Sequence, residues 1–304
     1  MKLRTFITIA AIFILCGFVT SCKNCTCSPC TCKEPCKCNG TNCGNGNCCT
    51  PSCGVDSAKM PLNVSVFIDL SDRVLKDADG TTQLGKDTSI VIQLASIVRK
   101  KAWDNNIRTA KDHFKVFFYP APTEPTINGL AQKLDIDLSK YSRNALPEKM
   151  QQANDMVKIV DSNIKVIYNK AISEANFIGC DIWGFFNDKA QSYCVKKGYR
   201  NILFVLTDGY IYHVNNMVTD ANNQTTYITN EMLSKKSQLM PCKADLSELE
   251  VLFLEINANP KTNYAEIQNT IRTWLKSMGV KRYDVVGTDL PNNTKTIIDN
   301  FVNL

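Results

Sequence analysis

The chain has 304 residues, 44% of them hydrophobic, and a formal net charge of +6. That apolar content excludes a wholly disordered chain, and the charge is too mild to argue for a nucleic-acid partner. Its 15 cysteines are not spread evenly, and their distribution divides the sequence.

Lys2 and Arg4 precede an apolar run from Thr5 to Val19. A membrane span needs roughly 20 residues, so this shorter run reads as a signal peptide. It ends in Val19-Thr20-Ser21-Cys22, which resembles the lipobox of bacterial lipoproteins. The resemblance implies cleavage before Cys22 and lipid on its sulfur. The chain would then sit in the bacterial cell envelope, at the outer membrane or cell surface, held by its lipid and not embedded. Ordinary signal cleavage and an uncleaved anchor helix are the alternatives. Removing residues 1–21, which contain Lys2 and Arg4 and no acids, takes the net charge from +6 to +4.

Cys22 to Cys53 holds 11 of the 15 cysteines and few apolar residues. Such a segment cannot build a hydrophobic core, so crosslinks, a metal or nothing must order it. Three readings stay open: a disulfide-bonded exported stem, a flexible and partly oxidised spacer, and a soft-metal binder. The ten stem cysteines beyond Cys22 suit pairing, whereas the Cys-x-Cys repeats at Cys25/Cys27, Cys30/Cys32 and Cys36/Cys38 superficially resemble a metallothionein. The expected organisation is a signal peptide over 1–21, a cysteine-rich stem and linker over 22–60, and an α/β domain over 61–304. Cys180, Cys194 and Cys242 fall in that domain, and an odd count leaves at least one of them free, buried or paired with the stem.

Leu62–Leu70 is a continuous, β-branched apolar run, as expected of a buried parallel strand. Thr88–Asp104 carries apolar residues at helical spacing. His113–Pro120 reads as a second strand and Leu130–Ser139 as a half-exposed edge strand. Pro147–Glu174 reads as a long helix with proline in its first turn. Asn201–Tyr210 and Leu249–Asn257 are further buried strands. Asn263–Gly279 is an amphipathic helix stopped by glycine. Lys281–Asp289 is a last strand, followed by a helix around Asn293–Phe301. Asp220–Asn230 reads as an inserted loop or hairpin. Alternating strands and helices predict a doubly wound, mostly parallel, Rossmann-like sheet with helices on both faces. Ligands of such sheets bind at the carboxyl ends of the strands. No glycine-rich phosphate loop or Walker lysine supports nucleotide binding.

Two of the buried strands end in acid, at Asp69 and Asp208. On neighbouring strands, about 5 Å apart, the two carboxylates would converge. A hard divalent cation would relieve their repulsion, with Ser71 as a further oxygen ligand and Thr207 in support. "FIDLSDR" followed much later by "LFVLTDG" resembles a von Willebrand factor A domain, over roughly Leu62 to Leu304. That resemblance implies a metal-ion-dependent adhesion site with Asp69, Ser71 and Asp208 as ligands, usually of Mg²⁺, with Mn²⁺ or Ca²⁺ as alternatives. Two positions depart from the family pattern. Arg73 stands where the second serine belongs, and Cys180 stands where the loop threonine belongs, with Asp181 after it as a substitute ligand. A unit charge about 6 Å from a divalent ion, at an effective dielectric near 20, is repelled by roughly 5 kcal/mol. Arg73 must therefore point away, pair with Asp72 or Asp181, or take the place of the metal between Asp69 and Asp208.

The function so implied is partner binding, not catalysis. A metal with an open position would take an acidic residue of a partner protein. The alternatives are a degenerate scaffold without metal, and a surface lipoprotein that handles soft metals through its stem. A metal-assisted hydrolase would need a base beside the metal. His113 falls at a strand start, on the opposite edge, and His213 reads as part of a surface loop. Trp103, Trp183 and Trp274 read as core residues. Oligomeric state is not legible.

Overall fold

The computed structural model describes residues 60–75, 77–78, 81–174, 179–211, 213–214, 216–219, 225–227, 245–257 and 264–303. The signal peptide, the cysteine stem, Cys242 and much of the expected 220–230 insertion lie outside them. The chain divides into two units, 1–57 and 58–304, and the second carries everything that follows.

Six strands form one sheet: β1 (Leu62–Ile68), β4 (His113–Phe117), β5 (Asp135–Asp137), β6 (Arg200–Leu206), β9 (Leu249–Ile256) and β10 (Arg282–Gly287). Their order is β10-β9-β6-β1-β4-β5. All neighbours are parallel except β4 and β5, which run antiparallel. The two short antiparallel ladders are β2 (Asp77–Ala78) with β3 (Thr81–Thr82), and β7 (Met217–Thr219) with β8 (Thr225–Tyr227). The expected α/β architecture is thus the observed one.

β1, β6 and β9 are buried at every residue, because a parallel sheet is covered on both faces. Alternate side chains therefore feed two cores. Val64, Val66, Ile68, Phe204 and Leu254 pack with α1 (Gln83–Asp104), α2 (Pro125–Lys133), α3 (Leu146–Glu174) and α7 (Pro291–Asn303). Phe67, Leu203, Val205 and Phe253 pack on the other face with α4 (Ile182–Asp188), α5 (Ala190–Cys194) and α6 (Tyr264–Ser277). The helices earn these places by spacing: α6 buries Ile267, Ile271, Trp274 and Leu275, and α7 buries Thr294, Ile298, Phe301 and Val302.

Two expectations are corrected. The edge strand is only three residues long, and Leu130–Lys133 belongs to α2 instead. Glu124 caps that helix by accepting from the Ile127 amide at 2.7 Å, and Pro125 opens it. Ile127, Leu130, Ala131 and Leu134 then follow helical spacing, which a reading of alternation at 130–139 overlooked. Trp103 is 37% exposed, near the end of α1. Trp274 is core, and Trp183 is half-buried against it.

At the amino edge of the sheet, Arg200 forks Glu250 with bonds of 3.0 and 2.9 Å. Arg282 bonds the same carboxylate, from Nε at 3.1 Å and Nη2 at 2.5 Å. Both arginines also donate to carbonyls at the end of α7, those of Phe301 and Val302. These groups close the last turn of the helix, whose carbonyls have no partners within it.

Candidate functional site at the carboxyl edge

β1 and β6 run side by side, with Ile68 opposite Leu206, so Asp69 and Asp208 leave the same edge of the sheet. Both acids are buried. The Asp69 amide donates to the Leu206 carbonyl at 2.9 Å, which carries the ladder to the tip itself.

The Asp69 carboxylate is occupied on both oxygens. Oδ1 accepts from the Ser71 amide at 2.9 Å, and Oδ2 accepts from the Thr207 hydroxyl at 2.9 Å. Thr207 in turn accepts from the Gly209 amide at 3.1 Å. Gly209 has φ of +96°, and a β-carbon there would lie 2.8 Å from Ile267 Cγ2, so this turn requires glycine. Burial pushes the Asp69 carboxyl above the usual carboxylate range; Arg73 opposes that shift and Asp208 adds to it.

Arg73 lies in the 3₁₀ turn Asp72–Leu75 that follows β1, and its guanidinium is buried. Nε donates to the Asp69 carbonyl at 2.9 Å and lies 3.8 Å from Asp69 Oδ2. Nη2 pairs with Asp87 Oδ2 at 2.5 Å. Asp87 is a residue of α1 and fully buried. Its other partners are Gln83 Nε2, at 2.8 Å, and the hydroxyl of Tyr168 from α3. Burial would favour loss of the Arg73 proton, yet Asp87, Tyr168, Asp69 and Asp208 together hold its pKa above the ordinary arginine value. Burial, with Asp87 beside it, also keeps the Tyr168 phenol protonated and donating.

The cluster continues along the edge. Gln83 reaches Glu255 Oε2 at 3.3 Å, Thr288 donates to the same oxygen at 2.7 Å, and Lys86 Nζ donates to Thr288 at 3.1 Å. Glu255 has φ of 67°, unusual for a residue with a side chain. Asp87, Tyr168 and Glu255 were not singled out in the sequence. A signal existed for Glu255, since it ends a buried strand in acid just as Asp69 and Asp208 do.

Asp181 and Cys180 lie on the loop expected to complete a metal site. Asp181 caps α4: its Oδ1 accepts from the Gly184 amide at 2.7 Å and from Asn216 Nδ2 at 2.5 Å. His213 Nδ1 lies 3.9 Å from Asp181 Oδ2, and His213 is buried, not on the surface as expected. Cys180 is a buried free thiol. Burial first, and then the Asp69 carboxylate, push its pKa well above the ordinary thiol value. It borders a cleft of about 40 Å³ lined by Ile68, Leu70, Phe118, Tyr119 and Pro120 among others. His113 stands at the start of β4, away from this edge, and bonds Asp135 at 2.7 Å.

This donor set does not fit a divalent ion. Each Asp69 oxygen accepts one bond and keeps a lone pair, but Asp181 Oδ1 is taken by two donors and the buried Arg73 guanidinium, 3.8 Å from Asp69 Oδ2, repels a cation. The Ser71 hydroxyl faces the Arg73 amide at 3.5 Å. Among the described residues, no three Asp, Glu, His or Cys side chains group as a metal site.

The fold and edge define an α/β domain with a six-stranded, mostly parallel sheet and a buried charged cluster where the parallel strands end. Neither a family model nor a curated protein matches the sequence. Among solved structures, an aerotolerance-related membrane protein from Bacteroides fragilis NCTC 9343, crystallised with multiple mutations to serine, is similar at 15% identity and a TM-score of 0.37. That alignment covers 80% of this chain and 98% of the other. Among the described residues, no helix is long and apolar enough to cross a membrane.

Proposed function

We propose that the chain is a lipid-anchored envelope protein whose von Willebrand factor A-like domain binds a partner protein at the carboxyl edge of its sheet, and that it is not an enzyme. The observation that carries this reading is where exposed aliphatic side chains fall. Leu75, Val214, Met217 and Leu290 are each more than half exposed. All four lie on segments that leave the carboxyl ends of β1, β6 and β10, around the buried charges. Apolar side chains on otherwise polar loops are a feature of contact surfaces. The anchor rests on Lys2, Arg4, the apolar run and Val19–Cys22. The ion-bridged form of binding, in which an acidic partner residue completes the shell of Mg²⁺, Mn²⁺ or Ca²⁺, is disfavoured by the poor fit of the donor set.

The test is crosslinking of the full-length chain on intact cells. Val214→Lys with Met217→Lys is expected to remove the partner bands, whereas Lys100→Ala, on the outer face of α1, leaves them in place. Bands unchanged by the paired lysines would overturn the docking edge. Cys22→Ser is expected to abolish incorporation of labelled fatty acid, and continued labelling would overturn the anchor.

A further inference from the structure

The acid that ends β1 has a resident positive charge beside it, the Arg73 guanidinium. Arg73 Nη2 lies 2.5 Å from Asp87 Oδ2, and its Nε lies 3.8 Å from Asp69 Oδ2. Arg73 is itself buried, so little solvent screens these interactions. A planar guanidinium can meet two acceptors in fixed directions at once, and here it meets the Asp69 carbonyl and the Asp87 carboxylate. It joins β1 to α1, and through Asp87 and Tyr168 to α3.

We infer that Arg73 permanently fills the role of the cation at this strand tip, making the domain indifferent to divalent ions, and that a hydroxyl in its place uncovers a latent site for a hard divalent cation on Asp69 and Ser71. Removing the guanidinium leaves Asp69 and Asp87 without their shared counter-charge. It also returns a Ser-x-Ser pair after Asp69, so oxygen donors replace the group that repels an ion. The inference concerns the charge at the tip and stands apart from the identity or existence of a partner.

The experiment is thermal unfolding and calorimetric titration of the full-length chain, with MgCl₂ against EDTA. Mg²⁺ is chosen because the stem thiols bind so hard an ion poorly. The wild type is expected to unfold at the same temperature in EDTA and in about 5 mM Mg²⁺. Arg73→Ser is expected to unfold at lower temperature in EDTA and to regain several degrees with Mg²⁺. Asp69→Asn in that background should abolish the gain. Arg73→Lys, which keeps the charge, should remain indifferent to Mg²⁺. Should Arg73→Ser not fold, Arg73→Ser with Asp87→Asn removes the stranded acid and is read in its place. Submillimolar Mg²⁺ binding by the wild type that Asp69→Asn removes would overturn the inference. So would the absence of any Mg²⁺ response in both serine variants.

Discussion

Each edge of the sheet buries an arginine–carboxylate cluster, and the two are built in opposite proportions. At the amino edge, Arg200 and Arg282 share the single acid Glu250, and their surplus donors are absorbed by the last carbonyls of α7. At the carboxyl edge, the single guanidinium of Arg73 meets two acids, Asp87 at 2.5 Å and Asp69 at 3.8 Å. The first cluster is complete, because a helix terminus attracts positive charge and accepts its hydrogen bonds. The second keeps an excess of acid at the edge where sheets of this kind bind ligands. The same pairing chemistry therefore closes a chain end in one place and shapes a charged surface in the other.

The largest expected effect is at Asp87. Asp87→Ala leaves Arg73 as a buried charge and Tyr168 without its acceptor, a loss of about 3–5 kcal/mol in denaturant unfolding. A loss below about 1 kcal/mol would mean that the carboxyl-edge cluster is far less tightly knit than its geometry. Glu250→Gln should cost somewhat less, about 3 kcal/mol, because Arg282 is partly exposed and can turn to solvent. A larger loss than at Asp87 would reverse the ranking of the two edges.

Acidity separates the edges by sign. Burial tends to raise the Glu250 pKa, but Arg200 and Arg282 prevail and hold it below the usual carboxylate value. A carboxyl lowered on folding contributes stability above its unfolded pKa, which is lost as pH falls through the folded value. Asp69 is raised, so the native state binds its proton the more tightly. Its contribution is greatest at low pH, and declines as pH rises from the ordinary aspartate value through the folded one. Stability measured against pH should therefore lose part of its acid-side fall in Glu250→Gln. Asp69→Asn should lose part of the decline just above the ordinary carboxylate range. The second change is partial, since Asp112 and Glu255 are also raised by burial. Parallel curves for the two variants would erase the contrast.

Two smaller effects sharpen the carboxyl edge alone. Gly209→Ala sets a β-carbon against Ile267 and an unfavourable φ, at a cost of about 1–3 kcal/mol. Thr82→Ala removes the hydroxyl that accepts from the Gly85 amide at the start of α1, about 1 kcal/mol. Both are read as shifts in the unfolding midpoint, and an unchanged midpoint for Gly209→Ala would mean that the Thr207 turn relaxes freely.

Much of the fold could be read from runs such as Val64–Ile68 and Ile202–Leu206, because strands covered on both faces leave no room for polar residues. The pair Asp69 and Asp208 was legible for the same reason, since an acid that interrupts such a run has nowhere to go but the tip. Asp87 was not. Its helix was expected from Thr88, five residues too late, because Gln83, Gly85, Lys86 and Asp87 look like a polar loop. They are instead the first turns of α1, where Gln83, Lys86 and Asp87 are buried and Asp87 pairs with Arg73. A helix read by its apolar face conceals a face that is buried and polar. Among the options for Arg73, pairing with Asp72 or Asp181 and bridging Asp69 to Asp208 all left out the partner it has.

Arg73 follows Asp69 by four residues on the same turn of chain. An ion drawn from solution comes and goes with the composition of the medium, and its occupancy follows mass action. A cation tethered so close has a local concentration fixed by covalent geometry, which dilution and chelators leave unchanged. The tip can therefore assemble as soon as β1 and α1 meet, with no need to wait for an ion to arrive.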